Sequence, residues 1–159
     1  MPVDVAGIPI HPLVVHAVVV LVPLAALGVI AIAFVPAWRQ RFGGLVALVT
    51  IVGVAIVPVA KESGEKLQAA VVGTPAIAHH RSLGSATAYF AIPLLVVAVA
   101  LWWVGRRDKQ RKPYGKGLTT ALGVVSVVVA LAAAFWIVRV GHSGAEAAWG
   151  TVGQSASGR

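Results

Sequence analysis

The chain has 159 residues, of which 58% are hydrophobic and only 11% charged, and it carries a formal charge of +8 at pH 7. A soluble globular domain is close to a quarter charged, so this composition places the chain among integral membrane proteins, and its length fits one domain. The chain has no cysteine, which excludes disulfides, thiolate metal sites and cysteine catalysis, and its positive charges sit in short segments between apolar runs, as in membrane-protein loops rather than a nucleic-acid-binding face.

Taken in chain order, the N-terminus lacks a basic region and a clear cleavage site, so the first apolar run is predicted to be retained as a span. Four spans are predicted, at about 12–36, 43–60, 83–104 and 117–138. Each approaches the roughly 20 apolar residues a helix needs to cross the hydrocarbon core. The expected fold is therefore an all-α integral membrane protein, a four-helix transmembrane bundle forming one domain over 1–149. Helices two to four are expected to extend beyond the bilayer on the histidine side, and a polar, Gly/Ser-rich flexible tail over 150–159. Pro23, Pro58 and Pro93 fall inside spans, where neighbouring helices satisfy the carbonyls that proline frees. Gly84 with Ala88, and Ser126 with Ala130 and Ala134, form small-residue rows that let helices approach. The span pairs one–two and three–four show no convincing internal repeat.

Charge sets the expected orientation. The segments after spans one and three hold Arg39, Arg41, Arg106, Arg107, Lys109, Arg111, Lys112 and Lys116 against Asp108 alone. The other side holds Lys61, Lys66, Arg81, Arg139 and Arg159 against Asp4, Glu62, Glu65 and Glu146. The positive-inside rule puts the first set in the cytoplasm and both termini outside, and Trp38, Trp102 and Trp103 fit the interfacial level at the cytoplasmic ends. The basic loop fixes topology, with attraction of anionic headgroups the weaker alternative.

All five histidines, His11, His16, His79, His80 and His142, fall on the predicted outer side. Thr74 is a predicted N-cap with Pro75 at the first helical position, as Pro12 is for span one. His16 and His79 then each stand about 6 Å above a helix start. His11 and His16 differ by about 140° around the axis, so the two do not share one face. Glu62 and Glu65 share a face of the extended second helix, and Arg139, His142 and Glu146 line one stripe if the helix persists through Gly141 and Gly144. Imidazoles and carboxylates in this arrangement can hold a transition metal, and histidines from two helices can ligate haem iron. The competing reading is a hydrated polar cap with a Glu62–Lys66 helix ion pair. No nucleophile elbow surrounds any serine and no phosphate-cradling loop is present, so no catalytic motif is recognised.

The opening GIPIHPLVVH, the mid-chain SGEKL followed by HHRSLG, and the closing GHSGAEAAWG resemble a bacterial family of small four-span membrane proteins, the domain of unknown function 2231. By that resemblance the signature positions are His11, His16, His80, Gly84, Gly144 and Ala145, and the location is the bacterial inner membrane. The resemblance implies no established activity. The family is distantly similar to b-type membrane cytochromes, whose bundles hold haem between histidines at two depths, whereas here all five lie at one end.

Two functional expectations follow. One is an outward-facing b-type haem or transition-metal site for electron transfer or sensing, with His16 and His80 as ligands, His79, His142 or Glu65 as further candidates, and His11, Glu62, Arg139 and Glu146 in support. The other is a structural or accessory membrane subunit without a cofactor. The expected partners are the lipid bilayer and a membrane protein or a second copy of the chain, with no nucleic acid. A transporter or channel is disfavoured for a monomer, because the spans carry no charge at mid-membrane.

Overall fold

The computed structural model describes residues 4, 5 and 8–157, with side chains from 9 to 150. Ahead of the helices, β1 (Asp4–Val5) pairs antiparallel with β2 (Ile8–Pro9). Five helices follow: α1 (Ile10–Ala33), α2 (Pro36–Ala69), α3 (Pro75–Ser85), α4 (Thr87–Lys109) and α5 (Lys116–Ser157). Four helical segments, 10–33, 36–69, 75–109 and 116–150, are long and apolar enough to cross a membrane.

Local sequence explains the boundaries. Span one was expected to reach residue 36, but α1 ends at Ala33 and Pro36 opens α2. Proline forces the residue before it out of helical geometry, and Val35 is accordingly extended, with φ −108° and ψ 96°. Helix α2 therefore starts well before residue 43 and, at 34 residues, is about 50 Å long against a hydrocarbon core of roughly 30 Å. The segment KESGEK continues it beyond the apolar stretch, as expected. Thr74 caps α3, its hydroxyl accepting from Ile77 N at 3.3 Å, with Pro75 next. A turn at Ala86 separates α3 from α4, at the point where the third span was expected to run without a break. Pro23, Pro58 and Pro93 lie inside α1, α2 and α4 without ending them. Helix α5 continues to Ser157, into the segment read as a tail. Its glycines cost about 1 kcal/mol each relative to alanine without breaking it.

The helices form a ring in which α1 neighbours α2 and α5, and α4 neighbours the same two, while α3 lies against α5 at one end. Up-and-down connectivity makes every neighbour antiparallel. In α1, α4 and α5 the buried positions step by three and four residues, the spacing of one inward-facing helix stripe. The core is built from small and branched residues, including Val22, Val29, Ile32, Leu94, Ala98, Leu101, Ala130 and Ile137. Close approaches occur at Gly43, Gly53 and Gly123, where an added Cβ would stand 3.2 Å from Trp102, 3.3 Å from Leu21 and 2.9 Å from Phe34. Gly84, expected in a helix contact, faces open space, whereas Ser126 and Ala130 are fully buried, as their row predicted.

The fold contains a repeat that the amino-acid identities hide. Val18, Val22, Ala25, Val29 and Ile32 of α1 are buried. So are Thr87, Ala91, Leu94, Ala98 and Leu101 of α4, each displaced by the same interval that separates His11 from His80. Gly43, Thr50, Gly53, Val57 and Ser63 of α2 correspond in the same way to Gly123, Ala130, Ala133, Ile137 and Ser143 of α5, all buried, displaced by the Ser63–Ser143 interval. The halves α1–α2 and α3–α5 are thus related by a pseudo-two-fold axis running along the bundle, a parallel repeat. The sequence shows no convincing repeat because the halves share few residue types; what they share is the burial register and the glycine pairs Gly43/Gly123 and Gly64/Gly144.

Candidate functional site

The site lies on that axis, at the end where α1 and α3 begin. His11, in the first turn of α1, and His80, on α3, are half-buried. Their ring centroids stand 6.1 Å apart with the planes at 68°. His11 Nδ1 lies 3.1 Å from the Ala60 carbonyl and 3.1 Å from Ser63 Oγ. A carbonyl only accepts, so this nitrogen carries the hydrogen. His80 Nδ1 lies 3.0 Å from Ser143 Oγ. That hydroxyl donates its single hydrogen to the Val140 carbonyl at 2.9 Å, so it must accept from the imidazole. Ser63 donates in the same way to the Ala60 carbonyl at 2.9 Å. The hydrogen-bond partners therefore assign both rings the tautomer that leaves Nε2 with a free lone pair.

Glycine lets both rings lie flush against the neighbouring helix. A Cβ on Gly64 would stand 2.8 Å from His11 Cε1, and one on Gly144 would stand 3.0 Å from His80 Cε1. The two half-sites match group for group: His11, Ala60, Ser63 and Gly64 in one, His80, Val140, Ser143 and Gly144 in the other. An Nδ1 held by oxygen with Nε2 left open is how proteins commonly orient an imidazole toward a ligand.

The partner of His80 is thus His11, where the sequence pointed to His16. His16 is exposed, and its Nδ1 meets the Pro12 carbonyl of its own helix at 2.6 Å. With His11 turned into the bundle, five residues of helix swing His16 by about 140° to the outside. His79 is exposed and lines a shallow cleft of about 370 Å³ with Arg139, His142, Ser143 and Glu146. The Arg139–His142–Glu146 stripe forms because α5 runs unbroken through Gly141 and Gly144. His142 Nε2 is 3.2 Å from Glu146 Oε1, both exposed. Glu62 pairs with Lys66 at 2.8 Å, as the alternative polar-cap reading expected, and Glu65 is exposed. Among the described residues no group of three or more His, Asp or Glu side chains converges to hold a metal ion.

Residues 7–156 match the model of the family described as predicted membrane protein, domain of unknown function 2231. The chain belongs to this family. No curated protein and no solved structure matches it. Of the positions that the resemblance singled out, His11, His80 and Gly144 fall in the paired site. His16 lies outside it, and Gly84 makes no close approach.

Sequence reasoning undervalued Ser63, Gly64, Ser143 and Gly144, which hold and seat the rings. A signal was available in the dipeptide SG, which occurs within the helical stretches at residues 63–64 and 143–144, besides 157–158 at the C-terminus; Ser63 and Ser143 each donate to the carbonyl three residues earlier. The basic end held another surprise. Arg39 is buried, with Nη2 3.0 Å from Asp108 Oδ2 and Nη1 donating to the Ala33 carbonyl at 3.2 Å. It joins the end of α1 and the start of α2 to α4, where the sequence suggested only a topology-setting loop charge.

Proposed function

We propose that the paired imidazoles His11 and His80 bind a transition-metal ion, or the iron of a b-type haem, at the outer surface of the membrane for electron transfer or sensing. One observation carries this reading: two rings with Nδ1 tied to oxygen and Nε2 free, 6.1 Å apart across the pseudo-two-fold axis. Two Nε2 donors at about 2.0–2.1 Å from one shared ion place ring centroids from roughly 5 Å apart at a tetrahedral angle to roughly 6.4 Å when trans. Imidazole suits copper, iron and zinc, and neutral nitrogen donors leave the first two redox-active.

The test is an absorbance spectrum with metal analysis of protein purified in detergent from its own host. The reading requires a Soret band or stoichiometric metal that His11→Ala and His80→Ala each abolish and His16→Ala leaves intact. Wild-type protein with neither would sink it. That result would favour an accessory subunit in which the His–Ser contacts serve only to clasp α1 to α2 and α3 to α5.

A further inference from the structure

The opposite, basic end of the bundle holds a second cleft, of about 310 Å³, between α2 and α4. Arg39, Arg41, Gly44, Trp102, Arg106 and Lys109 line it. Arg39 is held by Asp108, yet its Nε is buried without a partner. Arg41, Arg106 and Lys109 are exposed and make no ion pair among the described residues. Three uncompensated cations around a concave site form a strong local attraction for an anion.

Glycine again shapes the site. A Cβ on Gly43 would stand 3.2 Å from Trp102 Cα, and one on Gly44 would stand 3.3 Å from Trp102 Nε1. The absence of side chains on α2 therefore draws Trp102 close and leaves its indole N–H at the cleft wall, where it makes no hydrogen bond among the described residues. The Arg106 guanidinium lies 5.4 Å from the Trp102 ring centroid, a cation–π contact that steadies both groups. The apolar surface continues from the cleft along the spans. Leu48, one turn from Gly44, and Val99, one turn from Trp102, are both exposed.

We propose that this cleft binds the phosphate of an anionic phospholipid. Arg41, Arg106 and Lys109 supply the charge, Trp102 Nε1 donates a hydrogen bond, and the acyl chains cover Leu48 and Val99. Basic pockets between membrane helices suit such headgroups, and guanidinium groups bind phosphate oxygens with directed, charge-assisted hydrogen bonds. A free phosphate ion would satisfy the cations and leave the apolar continuation uncovered.

Native mass spectrometry of detergent-purified protein, offered phosphatidylglycerol and phosphatidylcholine together, tests this. Phosphatidylglycerol adducts should dominate. The triple variant Arg41→Ala, Arg106→Ala, Lys109→Ala should lose that preference, each change weakening binding roughly five-fold. Gly44→Leu changes no charge but fills the wall beside Trp102, and it should weaken binding as well. A control triple, Arg111→Ala, Lys112→Ala, Lys116→Ala, removes the same charge from the connecting segment and should bind as wild type does. Equal losses in the two triples would show a diffuse attraction and overturn the site, as would full binding by the first triple. Displacement of phosphatidylglycerol by millimolar inorganic phosphate would overturn the lipid assignment in favour of the free ion.

Discussion

At the scale of single residues, the glycines beside the imidazoles decide where the rings sit. Gly64→Ala and Gly144→Ala place a methyl group 2.8 and 3.0 Å from a ring carbon, closer than carbon atoms pack, so the ring must leave its serine. If the paired imidazoles hold a metal or haem as proposed, each variant should lose it while its helical circular dichroism is unchanged. Gly84→Ala, facing open space, should leave the paired imidazoles in place and gain up to about 1 kcal/mol in stability, the helix preference of alanine over glycine. Thr87 offers a second test. Its Oγ1 is buried without a partner, and the equivalent place in the other half is filled by Val18. Thr87→Val keeps the shape and removes an unpaired buried hydroxyl, which typically costs about 1–3 kcal/mol, so denaturation in detergent should show a stabilised protein. The site was half legible at this scale. His80 and the helix starts could be read from proline and threonine chemistry. The choice between His11 and His16 could not, because it depends on which face of α1 turns inward. Alanine and valine on both faces leave α1 with almost no amphipathic asymmetry.

At the scale of elements, helix ends carried most of the information that sequence could give. Thr74–Pro75 and Pro36 announced their helix starts through capping and the fixed φ of proline. The end of α4 was harder to read, because it closes on a residue that ordinarily avoids the conformation required. Arg111 has φ 57°, Arg111 N bonds the Asp108 carbonyl at 3.1 Å, and Lys112 N bonds that of Arg107 at 3.0 Å. This is a Schellman-type close, with the left-handed position that glycine normally fills. An L-residue there costs roughly 1–2 kcal/mol. Arg111→Gly should therefore raise stability by about 1 kcal/mol, measured by unfolding in mixed detergent. The turn at Ala86 had no such marker. Gly84, Ser85 and Ala86 sit in an otherwise continuous helical run, and the break matters because α3 holds His80 against α5.

For the molecule as a whole, the four spans and their up-and-down order followed from hydropathy alone, because a bilayer requires long apolar helices. Their ring order did not, since Val- and Ala-rich faces differ little until packed. The buried Arg39–Asp108 pair, with one nitrogen on Ala33, joins three helices at one end. Removing a single partner leaves an uncompensated buried charge, which typically costs 3–5 kcal/mol. Arg39→Met and Asp108→Leu should each destabilise the bundle by about that amount, and the double variant should recover most of the loss, as a double-mutant cycle of detergent unfolding would show. The repeat has a wider consequence. In a true homodimer, any substitution at the symmetric centre appears twice. Here the two arms of the histidine site belong to one polypeptide and are encoded separately. One arm already carries Pro12 and the other Arg81 beside the imidazole, so each can be tuned alone, and a centre with symmetric architecture can acquire unequal donors and a preferred direction.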